Sequence, residues 1–309
     1  MNAHAPLRPI SITEVGARDG LQNERTVIPT EAKQVFIEAL VAAGARQIEV
    51  GSFVHPKWVP AMADTEAIFR DLKREEGVTY LGLVPNLRGY DRAVAAGCDA
   101  IAIFTAASEG FAHANINMTI ADSLKVFREM SVRAKADGIR MRGYVSTIFA
   151  CPYDGPTKPE AVVPIVEELL DLGCYEVSLG DTIGVGTQAH VERLSDALLK
   201  SFPTDKLVFH FHDTWGMGVA NVAKALELGW SRFDASAGGL GGCPFARSAT
   251  GNVATEDVLY LLDALGYETG YDLQSVMRAA AELGRYLDHG LPSRVHRALV
   301  SGAASLLKR

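Results

Sequence analysis

The chain has 309 residues, a formal net charge of −7 and 48% hydrophobic residues, enough apolar material for a large core. The acidic balance excludes nonspecific nucleic-acid binding, so an anionic ligand would need local arginines or helix N-termini. No apolar run is long enough to span a bilayer, and MNAHAPLRPI at the start carries neither a secretory h-region nor an Arg-rich leader. The four cysteines, Cys98, Cys151, Cys174 and Cys243, show no CxxC spacing. They are expected as reduced thiols in a cytoplasm, some of them reactive.

Strand and helix patterns alternate along the whole chain. Strands are predicted at 11–18, 47–52, 79–84, 100–105, 140–147, 175–180, 207–212 and 232–237, each followed by a helical pattern. Thr30 is the expected N-cap of the first helix, with Val35, Ile37, Leu40 and Val41 behind it and Gly44 as its stop. Gly97, Gly138, Gly173 and Gly229 stand in equivalent places before later strands. Eight such units predict a (β/α)8 TIM barrel; a doubly wound open sheet is the alternative. Residues 271–309 read as a helical extension packed on the barrel, broken near Gly290-Leu291-Pro292. Residues 1–309 are therefore expected as one catalytic domain.

Active sites in this barrel lie at the C-terminal ends of the strands. Strand one ends in Arg18-Asp19, strand two carries Glu49 and ends at Ser52, and strand four leads into Ser108-Glu109. Strand five carries Arg142, Tyr144 and Ser146, and strand six ends in Asp181-Thr182. Strand seven, LVFHFH, alternates its side chains, so His210 and His212 share one face and Phe209 and Phe211 the other. Two imidazoles converging at a strand end suit a divalent cation, although hydrogen-bonded core histidines would give the same spacing. Alternation puts Glu14, Gly16 and Arg18 on one face of strand one, and Glu49 and Glu176 inward on theirs. Inward charges must be paired or metal-bound. Structural ion pairs would account for Glu14, Arg142 and Glu176. They do not easily account for Arg18, Asp19, Asp181, His210 and His212 at one rim.

Two imidazoles with a carboxylate, an added side-chain amide and no thiolate suit Mg²⁺ or Mn²⁺ better than zinc. Arg18 would add a fixed cation. Cation and metal together stabilise an oxyanion or enolate, the natural intermediate when a carbon–carbon bond beside a carbonyl breaks or forms. Cys243 sits in a glycine-rich stretch, GGLGGCPFARSATGN, suited to a lid that carries a thiol into the site; a turn with a small buried cysteine is the alternative. No phosphate-binding glycine motif is present.

These residues lie in long motifs. EVGARDGLQNE (14–24), IEVGSFVHPKWVPAMAD (48–64), GDTIGVG (180–186), HFHDTWG (210–216) and GLGGCPFARSATGNVATED (239–257) resemble the 3-hydroxy-3-methylglutaryl-CoA (HMG-CoA) lyases of the DRE-TIM metallolyase superfamily. The resemblance runs from about residue 12 to residue 263. It implies cleavage of HMG-CoA to acetoacetate and acetyl-CoA, a step of leucine degradation and ketone-body metabolism. It implies that Asp19, His210, His212 and Asn252 bind the cation and that Arg18 stabilises the enolate. Cys243 matches the lid cysteine and Cys151 a second active-site cysteine. Glu49, Gln22, Ser52, Asp181 and Thr182 match other active-site positions, and Ser108 is read as a further substrate contact. Asp181 or a ligand histidine such as His210 would be the base. The implied partners are a small acyl-CoA substrate and a second copy in a homodimer or other homo-oligomer, with neither nucleic acid nor membrane.

The chain departs from the usual motif at Gly51 and His55, along Phe111-Ala112-His113-Ala114, and at Ser248. These positions would line the acyl pocket or the CoA path. A lyase for a related 3-hydroxyacyl-CoA, citramalyl-type or longer-chain, therefore stays open. A Claisen-condensing synthase fits less well, because such relatives usually carry a further C-terminal region. A non-catalytic barrel would be expected to lack ligands that are all present here.

Overall fold

The computed structural model describes residues 9–242 and 251–301. Eight parallel strands close into a barrel. They are β1 (Ser11–Glu14), β2 (Gln47–Ser52), β3 (Thr79–Leu83), β4 (Ala100–Ala106), β5 (Arg140–Ser146), β6 (Cys174–Asp181), β7 (Leu207–Phe211) and β8 (Arg232–Ala235). Each pairs with its sequence neighbours, and β1 pairs with β8 to close the ring, Ser11 opposite Arg232. The open-sheet alternative is thereby excluded. A short hairpin joins Ala150–Cys151 to Gly155–Pro156 after β5.

The helices on the outside are α1 (Thr30–Ala42), α2 (Thr65–Asp71), α3 (Leu87–Ala95), α4 (Glu109–Ile116), α5 (Ile120–Asp137), α6 (Pro159–Asp171), α7 (Gln188–Leu198), α8 (Gly218–Glu227) and α9 (Thr255–Ala264). Between them and the strands lies an apolar layer that includes Ile48, Val50, Ile101, Ile103, Val177, Leu179, Phe209 and Phe211. The expected alternation in β2, β6 and β7 therefore holds. After α9 the chain continues as α10 (Leu273–Gly284) and α11 (Arg294–Val300), with α10 against α1 and α11 against α9. Gly44 ends α1 at φ +118, and a Cβ there would meet the Gly270 carbonyl at 2.3 Å. Only glycine serves both needs. No helix among the described residues is long and apolar enough to cross a membrane.

Two expectations need correction. Thr30 is the first residue of α1, not its cap; Pro29 holds that place, and the Thr30 hydroxyl donates to Asp64 at 2.9 Å. The first strand stops at Glu14, four residues early. A π-helical turn, Gly16–Gly20, follows, with the amides of Asp19 and Gly20 both directed at the Val15 carbonyl. The turn resets the alternation on which the strand-one reading rested. Glu14 faces outward, where it accepts from the Gly16 and Ala237 amides and the Thr255 hydroxyl, with no ion-pair partner among the described residues. Arg18 nonetheless faces the barrel axis.

The barrel floor is an ion-pair network. Arg142, fully buried, donates to Glu176 at 2.7 Å and to Asp234 at 2.6 Å. Glu176 also takes Gln47 and Arg232. A buried charge is tolerable only when paired in this way. The structural reading of Arg142 and Glu176 is borne out; that of Glu14 is not.

Candidate active site

The π-turn after β1 places Arg18 and Asp19 side by side at the C-terminal mouth. The Arg18 guanidinium donates to Glu49 at 2.7 Å and to Asp19 at 2.6 Å, and lies 5.6 Å from the Tyr144 ring centroid. Burial works against its charge, but Glu49 and Asp19 outweigh this and hold its pKa above the ordinary arginine value. Burial likewise opposes the Asp19 carboxylate. Arg18 first, then His212 and His210, outweigh it and keep Asp19 well below the usual carboxylate range.

His210 and His212 enter from the end of β7. Their Nε2 atoms are 3.3 Å apart, and Asp19 Oδ2 lies 3.7 Å from the first and 3.9 Å from the second. The far nitrogen of His210, Nδ1, lies 3.1 Å from Asp234 Oδ2. Burial lowers the pKa of both rings; at His210 the Asp234 contact and Asp19 reverse the direction, and at His212 burial wins. Asp234 stays ionised at about 2, because Arg142 outweighs its burial.

One atom each from Asp19, His210 and His212 lies within 4.8 Å of the others. Two imidazole nitrogens and a carboxylate oxygen, converging with no cationic donor among the three, fit a divalent cation. Asn252 joins them through an antiparallel bridge to His212, and its amide nitrogen donates to Asp19 Oδ2 at 2.8 Å. Presenting its oxygen instead requires a half-turn of the amide, which also releases the Leu240 carbonyl that the nitrogen reaches at 3.1 Å.

A cavity of about 190 Å³ opens above this group. Arg18, Asp19, Gln22, Thr182, His210 and His212 form its polar side, as the sequence reading expects. Val54, Val59, Leu83, Phe104 and Phe111 form an apolar side. The remaining candidates stand back from it. Glu49 is buried and accepts from the Arg18 guanidinium. Ser52 is buried and its hydroxyl accepts from the Val54 amide. Cys151 is packed with Ala106, Phe111 and Ala112. Ser108 bonds Thr147, whose amide in turn donates to Thr182 at 2.8 Å. Thr147 sits at φ +60, costly for a β-branched residue, and this pair of contacts holds it there. Cys243 and Ser248 lie outside the described residues.

Asp181 stands between Gly180 and Thr182, which both line the cavity, and its two oxygens take the Val185 and Gly186 amides at 3.1 and 2.8 Å. It pins the turn that presents Thr182. Burial raises its pKa to about 7 despite those bonds. Two residues escaped the sequence reading. Tyr144 was noted on strand five without a role, and its ring packs between Arg18 and Arg142. Asp234 was passed over. Its signal was available: it is the one charge between apolar Phe233 and Ala235 in a strand with those neighbours outward.

Comparison with known proteins places this arrangement. The family model described as HMGL-like matches residues 9–283. The hydroxymethylglutaryl-CoA lyase of Pseudomonas mevalonii is 45% identical over 298 residues, covering 96% of this chain and 99% of the relative. A 3-hydroxy-3-isohexenylglutaryl-CoA/hydroxy-methylglutaryl-CoA lyase of Pseudomonas aeruginosa is 46% identical over 296 residues, with the same coverage. A crystal structure of hydroxymethylglutaryl-CoA lyase from Pseudomonas aeruginosa superposes with a TM-score of 0.92 at 46% identity, covering 95% of this chain and 98% of that one. With the family model spanning the whole barrel and relatives matched nearly end to end, the chain belongs to the HMGL-like family.

Proposed function

We propose that this protein cleaves HMG-CoA to acetoacetate and acetyl-CoA, with Mg²⁺ or Mn²⁺ held by Asp19, His210, His212 and Asn252. One observation carries the reading: a guanidinium fixed by Glu49 stands beside three convergent ligand atoms at the mouth of a cavity with one polar and one apolar side. A cation bound there supplies Lewis-acid polarisation of the substrate's oxygens.

The chain's own residues account for the rest. The tertiary hydroxyl loses its proton, the C2–C3 bond breaks, and the electron pair passes to C2 as the enolate of acetyl-CoA. Protonation of C2 completes the reaction. Of the two bases named from sequence, His210 has Nδ1 occupied by Asp234 and Nε2 turned to the cation site, so with a cation bound it keeps no lone pair for the proton. Asp181, its pKa raised by burial to about 7, is the one that stays free of the cation. Arg18 cannot lose its proton and is preorganised, so it favours the enolate oxygen more than the ground-state thioester. Gln22 and Thr182 add polar contacts. Cys98, Cys151 and Cys174 are free thiols, in keeping with a cytoplasmic setting.

The test is an assay of purified protein with HMG-CoA and Mg²⁺, following both products by mass. Stoichiometric acetoacetate and acetyl-CoA are expected. Intact HMG-CoA under conditions where the protein is folded and metal-loaded would overturn the reading.

A further inference from the structure

Resting on that reading, the two-sided cavity bears on which substrates fit. The carbon that carries the reacting hydroxyl also carries a branch, a methyl group in HMG-CoA. The hydroxyl must face the polar side made by β1 and β7. In a closed ring of eight, β3 and β4 stand across from β7 and β8, so the branch meets Leu83 and Phe104.

Phe104 points inward, packs on Leu83, Ala102 and Tyr144, and pairs in register with Tyr144. Beyond it is a second cavity of about 810 Å³. Phe104 and Asn115 line both cavities and form the partition between them. The far side has an apolar stretch, Phe53, Trp58, Ile116 and Met118, beside a polar one that includes Glu66 and Arg92. Trp58 is 76% exposed, unusual for so large an apolar side chain.

We propose that Phe104 is the stop that sets the length of the branch, and that the outer cavity receives the chain of a 3-hydroxy-3-alkylglutaryl-CoA once this ring is removed. The inner cavity holds a methyl group. A longer branch on the same carbon can extend only toward the partition, since the polar side is committed to oxygens. Apolar walls reward each further methylene and penalise a charged or hydrated arm. Arg88 and His55 also line the outer cavity and offer the CoA phosphates a rival claim on it.

The experiment measures kcat/KM for HMG-CoA and for a thioester bearing a six-carbon alkenyl branch, in wild type and in Phe104→Ala. The ratio of long to methyl is expected to rise by at least about tenfold in the variant, the scale of discrimination that one or two methylenes give in an apolar pocket. Phe104→Leu is expected to fall between the two, and it serves if the alanine variant does not fold. Adding Met118→Trp to Phe104→Ala places an indole on the wall the branch would run along and should reduce the gain. An unchanged ratio in both Phe104 variants would overturn the inference while HMG-CoA cleavage by wild type left the function standing. A uniform rise in KM for both thioesters would overturn it too, by placing the CoA arm in the outer cavity. An undiminished gain in the double variant would send the branch elsewhere and do the same. Wild type that cleaves neither thioester would overturn the function and this inference together.

Discussion

Asp234 Oδ2 and His210 Nδ1 lie 3.1 Å apart, and the contact decides which face of the imidazole is available. An ionised carboxylate only accepts, so Nδ1 carries the proton and Nε2 presents its lone pair toward Asp19 and His212. Asp234 is itself locked by Arg142 at 2.6 Å and by Ser178 at 2.7 Å. The charged barrel floor thereby orients a ligand at the mouth. Asp234→Asn keeps the shape but weakens the acceptor and frees the tautomer. Its affinity for Mn²⁺ should fall about 10- to 100-fold, the usual effect of losing a partner behind a ligand. Calorimetric titration of metal-free protein measures it. An unchanged Kd would reduce Asp234 to a floor residue.

Chelation should abolish turnover, and Mg²⁺ or Mn²⁺ should restore it. Asp19, His210 and His212 are held with their ligand atoms facing one another, an arrangement that costs free energy unless something positive sits between them. Metal-free protein should therefore also be less stable, and the added cation should raise Tm with its concentration. Full activity in protein shown by elemental analysis to hold no divalent metal would contradict this.

The barrel was legible because eight strand patterns alternated with helical ones, five of the helices ended by a glycine stop, and because the period of β7 put both histidines on one face. Arg18 and Asp19 were legible as residues but not as geometry. A strand was assumed through residue 18, and no periodicity announces a π-turn. Glu14 was misplaced for the same reason. Asp181 read as a rim carboxylate because its sequence position is right; that its oxygens go to the next turn depends on backbone geometry after β6. Ser52 and Cys151 matched motifs by position and Ser108 was read from its place after strand four, whereas their distance from the cavity depends on packing. Asp234 shows the converse. Its alternation was readable, but only the folded ring brings it behind His210, which pairs with it across β7 and β8.

Arg18→Lys should lower kcat by about two to three orders of magnitude, the scale of losing one preorganised donor to an oxyanion. Lysine keeps the charge but cannot hold both Glu49 and Asp19 in a planar fork. Metal affinity should stay within a few-fold, because Asp19 retains a neighbouring cation. Steady-state kinetics and metal titration on the same preparation separate the two effects. A near-normal kcat would remove Arg18 from the chemistry.

The stability of the protein should fall as pH rises from about 5 to 8. Burial is the cause, and it lifts Glu14 from 4.5 to about 7 and Glu256 from 4.5 to about 8 against the amide hydrogen bonds they accept. Between the unfolded and folded values the native state holds a proton that the unfolded chain has released, so stability declines with pH across that window. The contribution is complete below about 4.5 and gone above the folded value. For Glu14 the displacement is worth on the order of 3 kcal/mol. Glu14→Gln deletes its titration while keeping an oxygen for the Gly16 and Ala237 amides and a donor for the Thr255 hydroxyl. Its Tm should therefore decline less steeply than that of wild type between pH 5 and 8, leaving it the more stable of the two, relative to their difference at pH 5, by pH 8. Glu256 remains in the variant and should keep part of the slope, displaced toward the alkaline end of the window. Thermal melts of both proteins at a series of pH values in one buffer ionic strength provide the measurement. Parallel curves would mean that the hydrogen bonds to Glu14 compensate its burial and that the carboxylate is charged throughout.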